Sequence, residues 1–319
     1  MFAYVGNGQY CYANSTSMLL DSIGEQVSAS LIEVLTGVGL GAVWFEEDNM
    51  IFFSNGIPHL GVSKALDILG FTYNERSGMD EVGMMDQLSA ELKDHPILIG
   101  PLDMGFLSYM PNHHDLHGCD HYVLAFGLED GWLRLHDPAG YPFAKLPVRD
   151  LVQASKTNRL QYRFYPSDLV YHYWTSPMRL RQRTSNEIYH EAVLYFREVY
   201  LDADHIALKQ GWKTGGDAFT ALQQHLKGEK IDPGLQGHLT HFAFPVGARR
   251  ALNYSEFFQP GNARLSELKL MQSEMFGHCH SLAVRGDWHA LGEAVRCLGE
   301  LELQFRERLF DDGQESRAY

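Results

Sequence analysis

The stretch HYVLAFGLEDGWLRLHDP, residues 121–138, decides how this chain is expected to fold. Two apolar-rich runs, 121–128 and 132–138, flank the acidic and glycine turn Glu129-Asp130-Gly131, the pattern of a β-hairpin. His121 opens the first strand and Asp137 closes the second. Taking Glu129 as the centre of the turn, each lies eight residues from it, so the register places them directly opposite one another on one face. Their Cβ atoms would then be roughly 5 Å apart. A turn displaced by one residue would send the two side chains to opposite faces.

Working outward, the apolar β-branched run PILIG (96–100) reads as a buried strand, and 81–92 and 148–155 have helical spacing. Residues 62–69 read as a short helix, 50–53 as a strand, and the aromatic stretch 162–173 as strand-like. Near the start, ANSTSMLLDSI (13–23) is polar early, with Met18, Leu19, Leu20 and Ile23 on its inner side, and Gly24 ends it; this is a helix with Cys11 at its N-terminal edge. A second helical stretch (29–35) leads into the glycine-rich GVGLGAVWFEE (37–47). That run lacks the G-x-G-x-x-G spacing and the following helix of a dinucleotide site. Beyond about residue 175 the chain turns to long amphipathic segments: 185–208, 216–226, 239–258, 263–285 and 288–309. In the last of these, Trp288, Leu291 and Leu298 form a core stripe. The basic, polar SPMRLRQRTS (176–185) reads as a linker. The division expected is therefore 1–178, an α+β domain of helices on an antiparallel sheet, and 179–319, a mainly helical domain.

The 319 residues are ample for two cores, and 45% hydrophobic with 21% charged residues is ordinary for a folded soluble chain. No run is apolar for long enough to cross a bilayer, and the opening residues carry neither a signal-like nor a transit-like pattern, so a cytoplasmic location is expected. Four cysteines without a CxxC pair are expected to be reduced. A net charge of −14 argues against nucleic acid, which needs clustered Lys and Arg, and suits a cationic partner. No membrane partner is expected, and homodimerisation is left open.

Cysteine attacks as thiolate, and a helix N-terminus favours negative charge. A nearby imidazole completes the activation, and a carboxylate accepting its second N–H orients it. Cys11, His121 and Asp137 supply these three residue types in that order. Each alone has a plainer reading: an inert buried thiol, a strand-start histidine, a turn-forming Asp before Pro. The ordered set is what carries specificity.

A cysteine at the start of an N-terminal helix, a later H-Y-V-x-x-x-G strand and a D-P closing the next strand resemble the papain-like fold, especially its C39-like peptidase branch. GVGLGAVWFEE, the strand leading into PLDMGFLSYMP (101–111), and ARRALNYSEFF (248–258) extend the likeness. On these residues the chain resembles the butirosin biosynthesis protein H-like family over most of its length, more closely in the N-terminal part. The resemblance implies an acyltransferase of secondary-metabolite (antibiotic) biosynthesis, taking an acyl group from a thioester, such as that of an acyl carrier protein, onto Cys11 and delivering it to an amine. His121 would be the general base and Asp137 the orienting acid, with no cofactor. Papain-like peptidases carry an oxyanion-hole Gln about six residues before the cysteine, whereas Val5 stands there in this chain. Gln9, Asn7 and the backbone N–H of Cys11 are the remaining oxyanion candidates. A peptidase or amidase using water as acceptor, and a non-catalytic binding protein on the same fold, are the alternatives.

The segment HHDLHGCDH (113–121) and the cluster FGHCHS (276–281) raise the question of zinc, but neither follows a known ligand spacing, and no metal is expected. Asp115, His117 and Asp120 are instead candidates for contact with a cationic acceptor, and Asp103 and Tyr109 for shaping its pocket.

Overall fold

The computed structural model describes residues 3–6, 9–78, 80–156, 160, 165–166, 169–228 and 231–315. The architecture is mixed α+β, and the chain divides into two compact units, Met1–Ile32 with Ile57–Arg183, and Glu33–Gly56 with Thr184–Tyr319. The division differs from a single cut after residue 178 in two respects: residues 33–56 leave the first unit and join the helical one, and the later boundary falls after Arg183.

In the first unit the helices are α1 (Cys11–Asp21), α3 (Pro58–Leu69), α4 (Glu81–Glu91) and α5 (Val148–Ala154), while α2 (Ala29–Leu35) spans the first crossing between units. Six antiparallel strands, β3 (Phe71–Arg76), β4 (Ile97–Asp103), β5 (Asp120–Glu129), β6 (Trp132–Asp137), β7 (Tyr141–Pro147) and β8 (Tyr173–Arg179), lie in the order β3-β8-β4-β5-β6-β7. Strand β4 is buried along its whole length, as its unbroken apolar run requires. Ile97, Ile99, Val123, Ala125, Leu133 and Leu135 share one core with Met84 and Leu88 of α4 and Leu151 and Val152 of α5. Burying each such Leu or Ile contributes roughly 1.5–3 kcal/mol. Tyr12 of α1 meets Tyr122 edge-on at 5.7 Å, and Tyr122 neighbours Trp174 at 6.2 Å. At the end of β8, Arg179 grips both Glu25 carboxylate oxygens at 2.6 Å while its guanidinium lies over Phe71. Strand β8 therefore takes up the first part of the stretch read as a linker. Of 162–173, read as strand-like, residues 162–164 and 167–168 lie outside the described residues, and the strand that is described begins at Tyr173.

The second unit holds β1 (Val43–Phe45), β2 (Met50–Phe52) and β9 (Lys213–Thr214) in one small antiparallel sheet, with α6 (Ser185–Gln210), α7 (Gly215–His225), α8 (Pro233–His238), α9 (Phe244–Phe258), α10 (Ala263–Arg285) and α11 (Trp288–Glu315). Pairing of β1 with β9 is one reason why residues 33–56 belong here. Buried polar bonds are the other. Arg250 Nε donates to Glu33 Oε1 at 2.7 Å, and Gly41 N donates to Glu302 Oε1 at 3.1 Å. Glu302 also accepts from Tyr200, Gln272 and the buried Lys269. Its carboxylate is thereby satisfied on both oxygens, as a buried charge must be. Leu291 and Leu298 are fully buried in this unit's core, and Trp288 packs against it. Among the described residues no helix is long and apolar enough to cross a membrane.

Candidate active site

Asp130 and Gly131, both at positive φ (51° and 79°), make the two-residue turn of the β5–β6 hairpin, the conformation that an Asp-Gly pair favours. Near the turn the partners are Glu129↔Trp132, Leu128↔Leu133 and Gly127↔Arg134; beyond an irregularity they are Ala125↔Leu135 and Leu124↔His136. Phe126 is thus the extra residue of a β-bulge. Continuing that register one step sets Asp137 across from Val123, so His121 and Asp137 do not face each other directly, as the symmetric reading of the turn has it. They meet diagonally, two residues apart. Without the bulge Asp137 would stand opposite Leu124, and His121 would fall on the other face.

His121 Nε2 lies 2.7 Å from Asp137 Oδ1, with the histidine 5% exposed and the aspartate fully buried. Because an ionised carboxylate only accepts, Nε2 carries the hydrogen. The ring's other polar edge is left for the sulfur of Cys11, which is within hydrogen-bonding reach of it. Burial pulls the His121 pKa down, but the Asp137 carboxylate and the Cys11 sulfur outweigh it and hold the imidazolium well above the ordinary histidine value. For Asp137, burial pushes upward and is outweighed by His121, the Tyr109 hydroxyl and the Ala139 N–H, leaving its pKa below the ordinary carboxyl value.

Cys11 is the first residue of α1 and is half-buried. The helix starts there because Tyr10 is in the left-handed region (φ 62°, ψ 44°), where a non-glycine residue stores on the order of 1–3 kcal/mol of strain. Asn14 Nδ2 donates to the Gln9 carbonyl at 2.6 Å, and Ser15 Oγ to the Tyr122 carbonyl at 3.2 Å. Ser15 is one turn along from Cys11 and Tyr122 adjoins His121, so that bond fixes the helix start beside the imidazole. The first N–H groups of α1 have no partners within the helix, which makes them fit donors for an oxyanion. Gln9 is half-buried and stands two residues before Cys11, whereas Asn7 lies outside the described residues.

The other candidates divide into two sets. Tyr109 donates to Asp137 Oδ2 at 2.7 Å, so its hydroxyl is committed to the carboxylate and not to a pocket for the acceptor. Asp103 is also turned inward: its Oδ1 accepts from Gly105 N at 2.8 Å and Gly118 N at 3.1 Å, which closes the loop between β4 and β5. Its role is that of a loop clamp, with His117 Nδ1 3.7 Å from its Oδ2. Asp120 accepts from Tyr165 at 2.9 Å and is partly exposed. Asp115 and His117 are exposed on the loop that precedes β5. Cys279 points into the core of α10, where burial pushes its thiol up to about 12. Among the described residues no three His, Cys, Asp or Glu side chains gather as a metal site would need.

Two contributors lie outside the set read from the sequence. Tyr4 donates to the Asp137 carbonyl at 2.8 Å and accepts from Gly140 N at 3.0 Å. No local pattern marks it. Ala139 N donates to Asp137 Oδ1 at 2.7 Å, an Asp-to-second-residue turn that Asp137-Pro138-Ala139 could have signalled.

Residues 209–310, within the helical unit, match the YobF C-terminal domain. YobF of Bacillus subtilis (strain 168), an uncharacterized protein, is 38% identical over 314 residues, an alignment covering 98% of this chain and all of that protein. Likeness at that level, running through both units and both ends of the hairpin, places this chain in the YobF family.

Proposed function

We propose that this chain is a cysteine-dependent acyltransferase on a papain-like fold, with Cys11 as nucleophile, His121 as proton carrier and Asp137 as its orienting acid. The observation that carries the reading is a buried His121 held by Asp137 at 2.7 Å, with the sulfur at the head of α1 as its other partner. A helix that begins at the cysteine and packs on an antiparallel sheet bearing the histidine supports the papain-like assignment.

In the first half-reaction the Cys11 thiolate attacks the carbonyl carbon of an acyl thioester, while α1 N–H groups, with Gln9 beside them, take the oxyanion's charge. Collapse breaks the carbon–sulfur bond to the donor. The donor thiolate leaves with the proton of the His121 imidazolium, and the acyl group stays on Cys11. In the second half-reaction an amine attacks the acyl-cysteine and gives a proton to His121, and the amide departs as the Cys11 thiolate returns. Such proton transfers typically contribute 10²–10⁴-fold. Transfer to an amine, a carrier-protein donor and a place in secondary metabolism are drawn from the resemblance to the butirosin biosynthesis protein H-like family. A cationic acceptor suits the net charge of −14 and the exposed Asp115.

The test offers an acyl thioester with and without a panel of polyamines and aminosugars and reads products by mass. The proposal expects new amide that depends on the amine and disappears in Cys11→Ala. Free acid alone, whichever amine is present, would favour a hydrolase; no consumption of thioester would leave a binding protein.

A further inference from the structure

We infer that Tyr109 is a positioning residue of the Cys11–His121–Asp137 site, acting through the second oxygen of the Asp137 carboxylate. The inference rests on those three residues acting together and adds a fourth, whose hydroxyl bonds to Asp137.

Asp137 Oδ1 is shared by His121 Nε2 at 2.7 Å and Ala139 N at 2.7 Å, and Oδ2 receives the Tyr109 hydroxyl hydrogen at 2.7 Å. The carboxylate is fully buried, so no solvent can replace a missing donor. With Oδ2 anchored, rotation of the carboxylate is blocked and Oδ1 stays aimed at His121. Tyr4 holds the backbone of the same residue by donating to the Asp137 carbonyl. Backbone and side chain of Asp137 are thus clamped by two phenols from distant parts of the chain. The titratable groups around the Tyr109 phenol are Asp137 on β6, Tyr141 on β7, whose ring meets it edge-on at 5.7 Å, and Tyr4. Its hydrogen goes to Asp137. Burial, then the Asp137 charge, raise the Tyr109 pKa well above the ordinary tyrosine value, so it remains a donor across the working range.

The experiment measures the rate of Cys11 alkylation by iodoacetamide against pH, by mass mapping, in the whole protein. It compares wild type, Tyr109→Phe, Tyr141→Phe, Asp137→Asn and the double variant Tyr109→Phe/Asp137→Asn. Loss of the hydroxyl is expected to slow Cys11 about fivefold to tenfold, to move the acid limb of the profile to higher pH, and to change nothing further in the Asp137→Asn background. Tyr141→Phe, which removes a hydroxyl from the same cluster without freeing Asp137, should leave the profile in place. If Tyr109→Phe does not fold, 3-fluorotyrosine at position 109, a stronger donor of the same shape, should move the acid limb the opposite way. A wild-type Cys11 that reacts no faster than Cys119 overturns the site and this inference together. A fast wild-type Cys11 whose acid limb is unmoved by either change at position 109 overturns the inference alone.

Discussion

His121 is held by the buried Asp137 carboxylate, and its proton is coupled to the stability of the fold. Its folded pKa is raised above the ordinary 6.5, so the stability it adds is complete below that value and is lost as pH rises through the folded value. Asp137 runs the other way: its pKa is depressed below 3.8, so its contribution is present above that value and is lost as pH falls through the folded one. Both contributions are fully present between 3.8 and 6.5. Thermal melts of wild type and Asp137→Asn across pH should therefore differ most in that window, and the gap should narrow on both sides. A gap that keeps growing above pH 8 would contradict the ion-pair account. The residue types of the candidate site can be read in the sequence as an ordered set of cysteine, histidine and aspartate, each of which alone has a plainer reading. Tyr109 and Tyr4 are not legible as its supports. They lie 28 and 133 positions from Asp137, and only long-range packing brings them together.

At the scale of the element, the β5–β6 hairpin decides whether His121 and Asp137 can meet. Its strands and its turn can be read from alternation and the Asp-Gly pair, since both are local signals. The bulge at Phe126 cannot, because nothing in FGL distinguishes a residue that pairs from one that does not. It nevertheless sets the parity of everything below it. Deleting Phe126 should leave the turn intact, remove the bulge and keep the pairs below it, Ala125 with Leu135 and Leu124 with His136, so that Asp137 stays on the face of His121. Cys11 alkylation should then stay within about threefold of wild type, well short of the tenfold or greater fall that loss of a proton-carrying partner would bring, with far-ultraviolet dichroism little changed. Folded protein in which Cys11 has lost its reactivity would contradict the register argument. Position 126 itself should tolerate Phe126→Leu, which keeps the residue count.

Across the whole molecule, one part of the division was hidden in the sequence. The helical character after residue 184 shows in long amphipathic periods, but residues 33–56 read as an early continuation of the first domain. Their ties are to partners with no pattern of their own: a two-residue strand, Lys213–Thr214, and the buried carboxylate of Glu302. Gly41 serves this arrangement with a backbone at φ +72° pressed against the Asn55 side chain, where any Cβ would collide. The glycine-rich run is therefore a packing device within the helical unit. The candidate chemistry lies wholly in the other unit, where Cys11, His121, Asp137, Tyr109 and Tyr4 all reside. The central claim is that Cys11 takes up an acyl group with help from His121, and the most direct measurement is the intact mass of the protein after brief mixing with an acyl thioester, without acceptor, and an acid quench. The account predicts a single acyl adduct that maps to Cys11, is absent in Cys11→Ala and forms at least about 100-fold more slowly in His121→Ala. No adduct at Cys11, or one that forms equally fast without His121, would contradict it.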